Sequence, residues 1–282
     1  LDHSLRTNAQ QRYQLEAIRD GALEQKLTFG GQVTALMDYQ TSNSNSKFGW
    51  LMRHPTSANQ IGKTSTEAVV HSSNLNVTAR LTDNITAYAE LLYNPEQNFA
   101  SGSTITGLPR NNVNMRHAYL MYGNLANSNF YASLGKMDIP FGWNDTVSLF
   151  TNSTNWHSFA GLAYGALVGY AGENLHFRAM GIQGGAQFRN ANTPVADTNV
   201  PSKLNNFAVD ANYTFNLGDQ GRLLAGASYQ YGSSYCQEYP VKHFRGCKDN
   251  VDAVAAYAEY VNNNLTIIAE VAKTTSTVAS TH

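Results

Sequence analysis

Eight histidines, some of them next to a serine, and two cysteines are the residues from which this chain could build reactive chemistry. The histidines, His3, His54, His71, His117, His157, His176, His243 and His282, are scattered without the i,i+4 or Cys-X-X-Cys spacing that gathers ligands around zinc, so no metal site is expected. His71-Ser72 and His157-Ser158 hold the types needed for a nucleophile and its base. Adjacent residues of an extended strand point to opposite faces, so neither pair can share a hydrogen bond there. The chain is therefore not expected to be an enzyme, and no cofactor is expected. Cys236 and Cys247 enclose a stretch rich in polar and turn-forming residues. A loop disulfide between them would suit an oxidising compartment and add roughly 3 kcal/mol; the alternative is two free thiols.

Charge chemistry is sparse. Asp, Glu, Lys and Arg make up 14% of the chain, against about 25% in ordinary soluble domains, and Asn, Ser, Thr, 22 Gly and 16 Tyr fill the difference. A formal net charge of −1 argues against nucleic acid as partner, because neutralising phosphates needs clustered cations. With 42% hydrophobic residues, the chain is also unlike disordered sequences. Mean hydropathy is −0.36 and there is no uninterrupted apolar run of helical-span length, which excludes a transmembrane helix but leaves membrane-crossing strands open. The 282 residues are enough for two domains at about 150 each, or for one barrel. The first residues lack a basic, apolar, small-residue targeting pattern.

The elements that must position these groups change character after residue 26. Residues 1–26 carry Leu5, Leu15, Ile18 and Leu23 among Arg, Gln and Glu, which predicts a short N-terminal helical segment. Residues 27–282 switch to period two, as in Phe207-Ala208-Val209-Asp210-Ala211-Asn212-Tyr213-Thr214-Phe215, the mark of strands with one apolar face. Eleven strands are predicted, near 27–40, 67–82, 85–94, 113–123, 129–138, 161–171, 174–184, 204–216, 222–232, 251–260 and 265–275. Their connections alternate between short ones, such as Asp83-Asn84 and Gly172-Glu173, and long ones around 41–66, 95–112, 139–160, 185–203 and 233–250. That alternation predicts an all-β class: an antiparallel transmembrane β-barrel with long outer loops and short periplasmic turns.

With the apolar parity turned to lipid, Asp38, Arg80, Glu90, Arg116, His176, Arg178, Asp210, Arg222, Glu259 and Glu270 point inward as pore-lining candidates. Their opposite signs nearly balance, so they are expected to brace the wall by pairing more than to select solutes by charge. Tyr39, Tyr93, Tyr170, Tyr213, Phe215, Tyr229, Tyr231 and Tyr260 fall near strand ends, where they would form interfacial girdles, although aromatics favour strands in any case. Two residues break the pattern. His117 shares the parity of Met115 and Tyr119, and Lys136 that of Phe130 and Leu134, which suggests a bulge or a shifted boundary. On this reading Val209→Arg should hinder assembly, whereas Asn212→Arg, on the opposite parity, should be tolerated and alter conductance. Eleven is an odd count for a bacterial single-chain barrel, and the residues after Val271 read as another outer loop, so the sequence is expected to be the front part of a larger barrel.

The segment Phe130-Tyr131-Ala132-Ser133-Leu134-Gly135-Lys136-Met137-Asp138-Ile139-Pro140-Phe141-Gly142, preceded by Ala118-Tyr119-Leu120-Met121-Tyr122-Gly123, resembles the strand that leads to a long inward loop in bacterial porins. With the N-terminal helical stretch, the layout is similar to the outer-membrane siderophore porins typified by the legiobactin receptor. The resemblance implies a Gram-negative outer-membrane location, lipid as surroundings, and uptake of small solutes with ferric siderophores, and hence iron uptake, as the narrower case. It carries over no ligand-binding residue. Pro140-Phe141-Gly142 opens a connection through Trp143, Asn144, Asp145, Asn155, Trp156 and His157. Folded inward, it would be a constriction; folded outward, it would be a surface loop. The functions in view are a porin-like channel for small solutes and, as the alternative, a barrel serving as surface adhesin or envelope scaffold. Oligomeric state is left open.

Overall fold

In a computed structural model the chain is described for residues 9–24, 26–43, 63–93, 113–144, 153–183, 204–232 and 251–277. Cys236, Cys247 and Asp145 lie outside these residues, as does the side chain of His157. The period-two segments form β1 (Leu27–Thr41), β2 (Thr64–Arg80), β3 (Ile85–Tyr93), β4 (Val113–Tyr122), β5 (Phe130–Asp138), β6 (Leu162–Ala171), β7 (Leu175–Gln183), β8 (Leu204–Asn216), β9 (Arg222–Tyr231), β10 (Ala253–Asn262) and β11 (Leu265–Thr274). They make one sheet of eleven strands in sequence order, each antiparallel to the next. The all-β class and the meander follow the sequence expectation. Among the described residues β1 pairs with β2 and β11 with β10, and no ladder joins β1 to β11.

The two faces differ in the sense that a membrane requires. Met37, Phe29, Val33, Phe130, Leu134, Val168 and Val271 stand exposed on one face, with Met37 at 84%. Glu90, Arg178, Asp210 and Glu259 are buried on the other. The predicted girdle residues Tyr39, Tyr213, Phe215 and Tyr231 are among the exposed ones. A soluble sheet would place these chemistries the other way round.

The two misfits in the sequence pattern are accommodated differently. Glu90 pairs with His117 while Leu91 pairs with Met115, so Arg116 is the extra residue of a bulge. The bulge resets the parity, and Arg116 and His117 are both buried on the inner face. Lys136 keeps the outer parity, and its ammonium donates to the Met115 carbonyl at 2.7 Å. That carbonyl lies beyond the β4–β5 ladder, which begins at Ala118 and Lys136, so the lysine satisfies a backbone acceptor that the ladder does not reach.

Two helices cover parts of the inner face. α1 (Gln10–Arg19) buries Gln11, Gln14, Leu15 and Ile18, an i, i+3, i+4, i+7 stripe. Leu15 is wholly buried, which contributes about 1.5–3 kcal/mol. Its Cδ2 lies 3.0 Å from where a Cβ on Gly123 would stand, so that glycine lets the helix approach the wall. The second helix was not foreseen. α2 (Thr154–Phe159) starts at Ser153, whose Oγ accepts from the Trp156 amide at 3.0 Å, an N-cap that fixes the first turn. One buried apolar cluster runs from Leu15 and Ile18 through Tyr88, Tyr119 and Met121 to Phe141, Phe159 and then Ala253 and Ala255 of β10. Residues seven strands apart in order reach one cluster because the sheet curls around these inner segments. Neither helix is long and apolar enough to cross a membrane, which says nothing of the strands.

Candidate functional site

The inner face gathers nearly all the polar chemistry of the described residues. On the β3–β5 side, the bulge brings Arg116 and His117 beside Glu90. The His117 ring lies between two carboxylates, Nδ1 at 2.6 Å from Glu90 Oε2 and Nε2 at 2.6 Å from Asp138 Oδ2. Arg116 Nη1 is 3.6 Å from Glu90 Oε1, and Asn74 donates to that oxygen at 3.1 Å. His117 and Asp138 were not among the residues expected to line a pore. The parity break at His117 was the signal, since a polar residue on the lipid side of a strand calls for a bulge that returns it inward.

On the β7–β10 side Asp210 is the centre. Arg178 pairs with its Oδ2, and its Oδ1 accepts from Ser228 Oγ at 2.6 Å and from the Tyr257 hydroxyl at 2.7 Å. Asn212 donates to the Tyr257 oxygen at 3.2 Å and is only 3% exposed. Asn212 thus has the inward parity expected of it, but Tyr257 fills the space beside it, which corrects the expectation that an arginine would be tolerated there. Arg222 pairs with Glu259 at 3.2 Å, and Arg80, at a turn, reaches Asp83 at 3.3 Å and the Leu23 carbonyl at 3.4 Å. Arg116, Arg178 and Arg222 thus each pair with a carboxylate on a neighbouring strand, which can brace a wall, whereas Arg80 pairs within its own turn. His176 bonds the Tyr131 hydroxyl at 2.8 Å, and half-buried Asp38 accepts from Gln40 at 3.1 Å.

The segment after Pro140 turns across this face. The Gly142 amide donates to Ser228 Oγ at 2.9 Å. The next two amides, of Trp143 and Asn144, donate to Glu270 Oε1 and Oε2 at 2.8 and 3.0 Å. Gly142 and Asn144 both have positive φ, +69° and +57°, which lets consecutive N–H groups converge on one carboxylate. The Asn144 side chain closes the turn by donating to the Phe141 carbonyl at 2.6 Å. The Asn155 side chain, on α2, lies near Glu270 as well. Trp143 stacks on Tyr257 with ring centres 5.6 Å apart, and Trp156 is buried. Glu270 therefore grips the segment rather than standing free on a pore wall. Ser228 and Tyr257, which complete the grip, were missed because neither residue type is distinctive in a strand.

Opposite, α1 holds the face through side chains. Gln14 Nε2 donates to Thr86 Oγ1 at 2.8 Å, and the Tyr119 hydroxyl donates to Gln14 Oε1 at 2.8 Å. Gln11 reaches Met137 Sδ at 3.2 Å.

No protein-family model matches the chain, and no curated protein matches it. Solved structures that resemble it include the outer membrane channel DcaP of Acinetobacter baumannii, at 14% identity and TM-score 0.40, over 88% of this chain and 80% of that one. A Rhodopseudomonas blastica porin mutant follows at 11% identity and TM-score 0.35, over 89% and 86%. A loop-deletion mutant of OmpT, an outer membrane protein of Vibrio cholerae, aligns at 15% identity and TM-score 0.28, over 91% and 96%.

Proposed function

We propose that this chain forms the wall of a porin-like channel in a bacterial outer membrane and passes small solutes. The observation that carries the reading is the inverted sheet: large apolar side chains exposed on one face, and paired Arg178–Asp210, Arg116–Glu90 and Arg222–Glu259 on the other. Exposed apolar side chains of this number belong against lipid, and charges of this number belong away from it. The ten inward residues line or brace the interior, and the segment Pro140–Asn144 with α2 forms its constriction. Selectivity then rests on width and on neutral groups, because the charges neutralise one another. Ion current across a planar bilayer containing the purified protein tests the reading; a correctly inserted protein that carries none removes it. Ferric siderophores are the narrower solute class, drawn from the resemblance of the whole layout to the siderophore porins and tested by whether a ferric siderophore blocks that current. An adhesin or envelope scaffold is the second reading. It is favoured by the filling of the inner face by α1 and residues 139–144, and a sealed bilayer would support it.

A further inference from the structure

We infer that a binding subsite for an uncharged, hydroxyl-rich solute of monosaccharide size lies between α1 and the inner face of β1–β3, extending the channel reading above to one solute class. A partly open cavity of about 270 Å³ there is bounded by Gln10, Tyr13 and Gln14 of α1 and by Asn76, Thr78 and Tyr88 of the sheet. None of the residues bounding it carries a formal charge, although the same inner face is dense in Arg, Asp and Glu elsewhere. Amides, hydroxyls and two phenol rings share its wall with Ala17, Leu23 and Phe29. Amides offer both donors and acceptors, which suits hydroxyl groups that need both. Tyrosine rings supply the apolar surface on which the C–H face of a sugar can rest, while a few polar groups fix its orientation. The volume lies just below the usual range for ligand pockets, about 300–1,000 Å³, which fits one small ring and not a chain of them.

The polar edge of the cavity is built, not incidental. The Tyr88 hydroxyl lies beside the side chains of Asn76 and Gln10, so helix and sheet meet at the polar edge of the cavity. Asn76 can lie where it does because Gly30, across the ladder from it, has no side chain: a Cβ there would come within 2.5 Å of Asn76 Oδ1. Gly30 does not have a positive φ, so alanine is conformationally allowed, and the atom it would displace ends a side chain. Gly30→Ala thus moves the amide without forcing the backbone. A charged relative of the same solute would be disfavoured, since its charge would leave water for a cavity that offers no counter-charge.

The experiment is calorimetric titration of D-glucose into the detergent-solubilised protein, in parallel with its bilayer current. Saturable binding in the millimolar range is expected. About a tenfold loss is expected in Gly30→Ala and in Gln10→Ala, a half-exposed helix residue whose loss leaves the sheet intact, and gluconate should bind at least tenfold more weakly than glucose. No saturable heat, equal affinity for gluconate, or unchanged binding in both variants overturns the subsite. A protein that conducts ions yet binds no glucose leaves the channel reading standing and the subsite refuted. One that binds glucose yet carries no current does the reverse.

Discussion

On the β3–β5 side the inner face holds a helix through neutral side chains, Gln14 to Thr86 and Tyr119, whereas on the β9–β11 side it holds an irregular segment through a carboxylate and a hydroxyl that take three successive backbone amides. The difference follows from what each segment lacks. A helix satisfies its own backbone beyond the first and last turns, so only its side chains need partners. The turn at Gly142–Asn144 has no ladder, and inside a barrel its N–H groups must be met by the wall or by water. The wall therefore places its acceptors, Ser228 and Glu270, where regular structure stops. The predictions below would each break or sharpen that contrast.

The largest effect is expected at Asp210, which joins both the ion pair and the grip. Asp210→Ala leaves the Arg178 guanidinium, 2% exposed, without this carboxylate and strips the Ser228 and Tyr257 hydroxyls of their acceptor. A loss of about 3–5 kcal/mol is expected, the usual cost of removing one partner of a buried pair, read from urea unfolding in detergent or lipid. A loss below about 1 kcal/mol would mean that the grip does not depend on this centre. Next in size is Val209→Arg, one residue away on the opposite face. It should weaken assembly into bilayers by about 2–4 kcal/mol near the midplane, while Ala208→Ser on the inner parity should cost far less; equal effects would undo the assignment of faces.

How much of this was legible in the sequence differs between the same two regions. The strands and their two chemistries could be read because period two forces every second residue to one face, and a run such as Phe207 to Phe215 leaves little freedom. The bulge was legible as a discord at His117, without its consequence that Arg116 and His117 would share one face. The grip was not legible. Glu270 could be assigned inward by parity, but its partners are backbone amides 126 and 127 residues away, and amides carry no sequence signature. The docking of α1 was hidden for a related reason: Gln11 and Gln14 read as the solvent side of a surface helix, and only a polar wall makes them the buried side.

A smaller effect is expected at Glu270. Glu270→Gln keeps the shape and one acceptor oxygen but replaces two charge-assisted bonds by one neutral bond, a change of about 1–3 kcal/mol for the turn itself. Because the segment is held at other points, by Ser228 and by the Trp143–Tyr257 stack, global unfolding should move less than the current does. Open-channel noise should rise as the turn detaches and returns. An unchanged noise spectrum in a stable variant would show that the stack, not the carboxylate, fixes the constriction.

The smallest effect separates the helix from the turn. Gln14→Ala removes two neutral hydrogen bonds, each worth about 0.5–1.5 kcal/mol net, and leaves the Thr86 and Tyr119 hydroxyls beside a gap wide enough for water to replace the amide. Leu15 and Ile18 stay buried, and they carry the larger part of the helix's attachment. The expected result is a loss near 1 kcal/mol, with hydrogen exchange in residues 10–19 accelerated about fivefold, since local opening follows local stability, and no change in exchange at the Trp143 and Asn144 amides. If the Trp143 and Asn144 amides accelerate together with the helix, the two regions open as one unit, and the contrast between a side-chain dock and a backbone grip is a difference of bonding without a difference of behaviour.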